Sequence, residues 1–161
     1  MFLENFFFPK FTWKFLLRIA VSAVILFCIG YFFFMPCFIN GASMKPTYDA
    51  IGFNFCNKIR FVKNPPQYGD VVISRYIGKK YFLKRVIALE NDTVEFRNGQ
   101  LFRNGIAVVE DYVKLPCDWN MAPVKVRKNM LFVVGDNRSM PIGEHQFGMI
   151  SIKRVEGAPL W

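Results

Sequence analysis

From Ile19 to Ile39 the chain runs twenty-one residues without a charged side chain. At helical rise such a run covers the roughly 30 Å hydrocarbon core of a bilayer. Gly30 and Pro36 lie inside it and are tolerated in a membrane helix. The rival reading is a cleavable secretory signal, whose apolar region spans about 7–15 residues and is followed by small residues at −3 and −1. Here the best cut, after Ala42, puts Asn40 at −3 and removes everything ahead of Ser43. The expectation is therefore an uncleaved anchor: residues 1–39 form a cytoplasmic N-terminus and a single transmembrane helix, and residues 40–161 form a folded domain.

Lys10, Lys14 and Arg18 precede the span against Glu4, which favours a cytoplasmic N-terminus, while Lys45, Lys58 and Arg60 follow closely enough to weaken the bias. The charge pattern leans towards a domain outside the cytoplasm, on a single-pass protein with the lipid bilayer as a partner. With 161 residues there is room for one ordinary domain beside the anchor. The net charge of +9 is spread as pairs such as Lys79-Lys80, Lys84-Arg85 and Lys153-Arg154, without a run of five or six. That pattern suits a basic face near anionic lipid and argues against nucleic acid. The four cysteines show no CxxC or metal spacing, and His145 is the one histidine, so neither a metal nor a cofactor is expected. Cys28 and Cys37 fall in the anchor; Cys56 and Cys117 are either a disulfide, if the domain is extracytoplasmic, or two free thiols.

Beyond the anchor the pattern changes to short β-rich stretches separated by turn residues. Val71 to Tyr76, Tyr81 to Leu89 and Met130 to Val134 read as strands. Val94–Arg97, Gln100–Arg103 and Ile106–Val109 read as a meander joined by Asn98-Gly99 and Asn104-Gly105, the strongest short hairpin signal. With no long amphipathic helical pattern after residue 40, the fold class is mainly β behind an N-terminal transmembrane helix.

Two residues suggest chemistry. Ser43 sits in the loop Gly41-Ala42-Ser43-Met44-Lys45-Pro46-Thr47, where glycine permits tight geometry and backbone amides can face a developing oxyanion. On its own such a serine is an ordinary loop residue. Lys84 changes that: on a strand it shares a face with Phe82, Val86 and Ala88, and burial among apolar neighbours lowers a lysine pKa until the neutral amine can accept a serine proton. Arg85 cannot replace it, because a guanidinium stays protonated. The bland alternative is a lysine that snorkels to solvent from a strand edge. A Ser-His-Asp triad would need His145, for which a structural or surface role fits better. Gly135-Asp136-Asn137-Arg138 reads as a well-made turn or as a brace for the catalytic loops.

Four segments in one order resemble the type I signal peptidase family, membrane-anchored Ser/Lys proteases. Ser43-Met44-Lys45-Pro46-Thr47 resembles its nucleophile box, Gly69-Asp70-Val71-Val72 its Gly-Asp-hydrophobic-Val strand, Tyr81 to Ile87 its Lys-Arg-Val base strand, and Gly135-Asp136-Asn137-Arg138 its closing box. The stretch from Asn91-Asp92-Thr93-Val94 to Glu110-Asp111-Tyr112 fits the family's hairpin region. The resemblance implies a β-rich signal-peptidase-like catalytic domain with Ser43 as nucleophile, Lys84 as general base and the Ser43 amide in the oxyanion hole. It implies substrate contacts from Met44 and Phe82, support of the site by Gly135, Asp136, Asn137, Arg138 and Ser139, and preproteins with small residues at P1 and P3 as substrates. It also implies the bacterial inner membrane, with the catalytic domain on its extracytoplasmic side.

The chain departs from the family in two places. Gly41 stands where some members carry an oxyanion-hole serine. After Arg138 the usual continuation is replaced, so that Pro141 takes the place of a lysine-orienting serine, Gly143 that of an acid and His145 that of an arginine, with Ser139 as a substitute orienting group. The functional expectation is a signal peptidase I. A dedicated pilin or conjugation-component processing peptidase and a catalytically silent membrane scaffold of the same fold are the alternatives. A self-cleaving repressor is disfavoured by the anchor and the lack of a DNA-reading helix.

Overall fold

The computed structural model describes residues 11–75 and 81–161 and divides into two compact units, Met1–Met35 and Pro36–Trp161. The last residue of the strand expected to end at Tyr76, the Lys79-Lys80 pair, and the flanking charges Glu4 and Lys10 lie outside the described residues.

The first unit is the helix α1, Trp13–Phe33. Thr12 caps it, its hydroxyl accepting from the Phe15 N–H at 3.3 Å. None of its residues is buried within the protein, and it is long and apolar enough to cross a bilayer. The helix starts six residues before the uncharged run and stops six residues before its end. Pro36 accounts for the early stop, since a proline disfavours helical geometry in the residue before it and cannot donate to a helical ladder. Cys37 therefore lies outside the helix, contrary to the expectation, and its thiol donates to the Asn54 carbonyl at 3.3 Å. All four cysteines are free thiols.

Among the described residues eleven strands form two sheets, all within the second unit except the first two residues of β1. The strands are β1 (Phe34–Asn40), β2 (Ile51–Asn57), β3 (Val71–Arg75), β4 (Tyr81–Ala88), β5 (Thr93–Arg97), β6 (Gln100–Arg103), β7 (Ile106–Ala107), β8 (Met121–Lys125), β9 (Met130–Val134), β10 (Gly148–Ser151) and β11 (Val155–Pro159). The larger sheet has the order β1-β2-β11-β3-β4-β9-β10, the smaller β7-β6-β5-β8. Two short 3-10 turns, Ala42–Met44 and Ile152–Arg154, are the other regular elements among its described residues.

Both Asn-Gly pairs make the expected hairpins. Asn98 and Gly99 take φ of 49° and 80°, Asn104 and Gly105 φ of 54° and 78°, and the flanking residues pair as Arg97 with Gln100 and Arg103 with Ile106. The core forms on both sides of the central strands. Val72, Val86, Leu131 and Val133 pack in one cluster, while Ile87, Phe132 and Val134 join Phe96, Leu101 and Trp119 in another. A strand covered on both faces reads as an unbroken apolar run, which is why Met130 to Val134 is legible in sequence. The strand β1, most of which was expected in the transmembrane helix, and β2, β8, β10 and β11 were not. Pro123 and Pro159 sit in β8 and β11, and Gly157 breaks the β11 register on β3. Four rings, Phe38, Phe53, Phe55 and Trp161, follow one another at centroid spacings of 5.2, 4.9 and 5.9 Å beside the β1–β2 edge, with Phe38 82% exposed.

Candidate active site

The loop that carries Ser43 becomes a 3-10 turn because two anchors hold its ends. The Gly41 N–H donates to the Ala50 carbonyl at 2.8 Å, and Thr47 Oγ1 donates to Asp136 Oδ2 at 2.6 Å. Gly41 has φ of 145°, in the region that favours glycine. Lys84 comes from the middle of β4, opposite Val72 of β3, and is 4% exposed. Its Nζ lies 2.7 Å from Ser43 Oγ, to which it donates, and 5.9 Å from the centre of the Phe82 ring. Burial pushes the Lys84 pKa down to about 8, against an opposing pull from the Asp136 charge.

The segment after β9 backs this pair. The Asn137 N–H donates to the Ser43 carbonyl at 2.9 Å and Asn137 Nδ2 to the Ala42 carbonyl at 3.0 Å. Gly135 passes so close that a Cβ there would stand 2.1 Å from the Ser43 carbonyl oxygen, which excludes any other residue. Asp136 is fully buried and takes a two-pronged bond from Arg85, Nε to Oδ1 at 2.8 Å and Nη2 to Oδ2 at 2.6 Å. Arg85 also donates to the Gly69 carbonyl at 2.7 Å and lies over the Tyr112 ring at 4.0 Å. Arg138, 1% exposed, donates to the Gly135 carbonyl at 2.8 Å and to both Glu110 oxygens at 2.9 and 2.7 Å. Each buried charge in the brace therefore has an opposite partner and further hydrogen bonds, the condition under which buried ions are tolerated.

A groove opens over the serine, lined by Ile39, Asn40, Ile73, Phe82, Leu83 and Met140 among others. Phe82 is half-buried in its wall, whereas Met44, 1% exposed, reaches it only from the floor and packs mainly inside. Ser139 does not orient Lys84. Its hydroxyl donates to Asn137 Oδ1 at 2.7 Å, because the turn after Asp136 folds it back on its own segment. His145 is not on the surface either: it is 4% exposed, and its Nε2 accepts from the Gly135 N–H at 3.0 Å.

The partners Arg85, Glu110, Thr47 and Tyr112 escaped the sequence reading. A charged residue next to the base, and a lone Glu in a polar stretch, carry no local signal of a partner 28 to 89 positions away. The one available hint was arithmetic: a buried-type segment holding Asp136 and Arg138 must find opposite charges elsewhere.

Comparison with known proteins gives this arrangement its context. "Probable signal peptidase I-1" of Synechocystis is 30% identical over 152 residues, which cover 89% of this chain and 78% of that protein. "Signal peptidase I P" of Bacillus subtilis subsp. natto is 33% identical over 153 residues, 86% of this chain and 82% of its own. "Thylakoidal processing peptidase 1, chloroplastic" of Arabidopsis thaliana is 34% identical over 134 residues. The chain spans about two fifths of that plant relative's length, since 39% of it is matched. The family model described as signal peptidase, peptidase S26, matches residues 12–160, from the cap of α1 to the end of β11, and the chain therefore belongs to the signal peptidase family.

Proposed function

We propose that this protein is a signal peptidase I that removes signal peptides from translocated preproteins, with Ser43 as nucleophile and Lys84 as general base. The observation that carries the reading is the 2.7 Å contact between the buried Lys84 amine and Ser43 Oγ. A lysine with its pKa near 8 has a usable neutral fraction at physiological pH, and at this distance it can take the serine proton as Oγ attacks the scissile carbonyl. The oxyanion then forms beside the Ser43 amide, whose turn is held in place by the Asn137 bonds to the Ser43 and Ala42 carbonyls. The Lys84 ammonium returns its proton to the leaving amine, and the neutral amine next activates water to hydrolyse the acyl-enzyme. Asp136 holds Arg85 and Thr47 around the dyad and is kept from Lys84 itself by those three bonds.

The substrate lies extended in the groove, adding its main chain to strand edges beside β1 and Tyr81–Leu83, with small P1 and P3 side chains in shallow apolar pockets walled by residues such as Ile39 and Phe82. Residues 40–161 act as the catalytic domain. The α1 helix holds the protein in a bacterial inner membrane with that domain on the extracytoplasmic side, as Lys14 and Arg18 near the helix start support. The exposed Phe38, Phe53 and Trp161 rings give the domain an apolar face suited to lipid.

The test is cleavage of a preprotein with Ala at −3 and −1 by the full chain in detergent. Cleavage at that junction is expected, with loss in Ser43→Ala and in Lys84→Ala and little change in Lys45→Ala. Full activity of Lys84→Ala would show that the base lies elsewhere. Absence of cleavage by folded wild-type protein would favour a dedicated substrate or a silent scaffold.

A further inference from the structure

His145 is buried and aromatic-packed, yet its Nδ1 has no hydrogen-bond partner among the described residues. Leaving a buried polar atom unpaired costs free energy on the order of 1–3 kcal/mol, so the site retains an unfavourable group for some return elsewhere. The other ring nitrogen shows what that return is. Nε2 accepts the Gly135 N–H, which places the ring proton on Nδ1 and fixes a neutral tautomer. Burial, with Lys84 and Arg138 charges nearby, pushes the pKa down to about 3, so the acceptor persists through the working range.

Gly135 is the contact point between this ring and the nucleophile. A Cβ on it would meet both the Ser43 carbonyl oxygen, at 2.1 Å, and His145 Nε2, at 2.7 Å. The imidazole and the nucleophile turn thus crowd the same face of the glycine, leaving no room for a side chain. The ring cannot retreat, since Trp119 closes over it at 4.8 Å and Trp119 Nε1 is tied to the Met140 carbonyl at 2.8 Å. Meanwhile no hydroxyl orients Lys84 from the segment that follows Arg138: position 141 is proline, and Ser139 bonds Asn137. Alignment of the dyad must then come from holding the serine side.

We propose that His145 is a positioning residue: by accepting the Gly135 N–H it clamps the Gly135–Asn137 segment against the Ser43 carbonyl and so sets the Ser43 hydroxyl in reach of Lys84. The proposal rests on the Ser43/Lys84 reading above. His145 itself never touches substrate or the transferred proton.

The experiment compares the full chain with His145→Phe, which keeps an aromatic ring but removes the acceptor, and His145→Gln, whose amide oxygen can take the place of Nε2. Steady-state cleavage of the preprotein is measured per folded molecule, with thermal unfolding of each variant alongside. His145→Phe is expected to lower kcat about 10- to 100-fold, the effect of misplacing reacting groups by a fraction of an ångström to an ångström, with KM within about twofold. His145→Gln is expected to recover most of that loss. If His145→Phe does not fold, His145→Leu carries the same expectation. The proposal is overturned if both acceptor-free and acceptor-bearing variants lose kcat equally, if KM rises while kcat holds, or if activity per folded molecule is unchanged. A Ser43→Ala control separates the two readings: cleavage surviving in it sinks the dyad, whereas cleavage lost there but unaffected by His145→Phe sinks only the positioning role.

Discussion

At the scale of single residues, Lys84 carries opposing demands. A 4% exposed amine with its pKa lowered from 10.5 to about 8 gains protonation free energy on unfolding. Since the unfolded chain holds the proton more tightly, stability rises with pH between about 8 and 10.5, and below about 8 the full penalty of about 3 kcal/mol applies. Lys84→Met should therefore abolish cleavage while raising stability at pH 7 by about 2 kcal/mol, read as a higher urea midpoint with an unchanged slope. The same pKa predicts that kcat/KM of the wild type climbs as pH rises and levels off above about 8, because only the neutral amine acts as base. A profile that falls across that range would be inconsistent with a lysine base. Ser43, Lys84 and the Gly135 to Arg138 turn were all legible as candidates, since chemistry of this kind needs a small set of residue types in a small set of contexts. The clamp from His145 was not, because a lone histidine in a polar segment gives no local sign that it is buried or what it accepts from.

At the scale of elements, the two Asn-Gly hairpins look equivalent in sequence and are not equivalent in the fold. Both glycines have positive φ, but Gly105 faces open space whereas a Cβ on Gly99 would stand 1.9 Å from the Cys117 carbonyl oxygen. The first turn docks on residues 117–120, the Gly99 N–H donating to the Trp119 carbonyl at 2.9 Å and the Asn98 N–H to Asn120 Oδ1 at 2.9 Å. Gly105→Ala should cost about 1 kcal/mol, the conformational strain alone. Gly99→Ala should cost about 2 kcal/mol more, because backbone must move to admit the methyl. Equal urea midpoints for the two variants would contradict the docking. Strands with a local signal, β3, β4, β5, β6 and β9, were readable from alternation, aromatic and β-branched content or unbroken apolar runs. By contrast β11 contains Glu, Gly, Ala and Pro, and it is a strand because β2 and β3 flank it on either side, a non-local cause that no window of sequence contains.

At the scale of the whole molecule, α1 and the β-rich unit answer to different solvents. A helix with no buried residue, charged only at Lys14 and Arg18 near its start, is long and apolar enough to sit in lipid, whereas the second unit holds its own core in two clusters. The full chain is expected to stay in the membrane fraction after alkaline carbonate washing, and replacing Val24 and Phe27 on α1 by Lys should release it while leaving the β-type circular dichroism of the second unit in place. Retention of the double variant in the washed membrane would mean that α1 is not the anchor. By itself the sequence determined the long apolar N-terminal helix, the β character of the rest, the hairpin turns and Ser43 and Lys84 as candidates for nucleophile and base, because each follows from local length, periodicity or chemistry. The tertiary structure alone decided where the helix yields to β1, which charges neutralise Asp136 and Arg138, and how His145 and Gly135 seat the Ser43 turn at 2.7 Å from Lys84. Those are pairings across tens of residues, fixed by packing and by the cost of leaving a buried polar group alone, and neither is written in any one stretch of the chain.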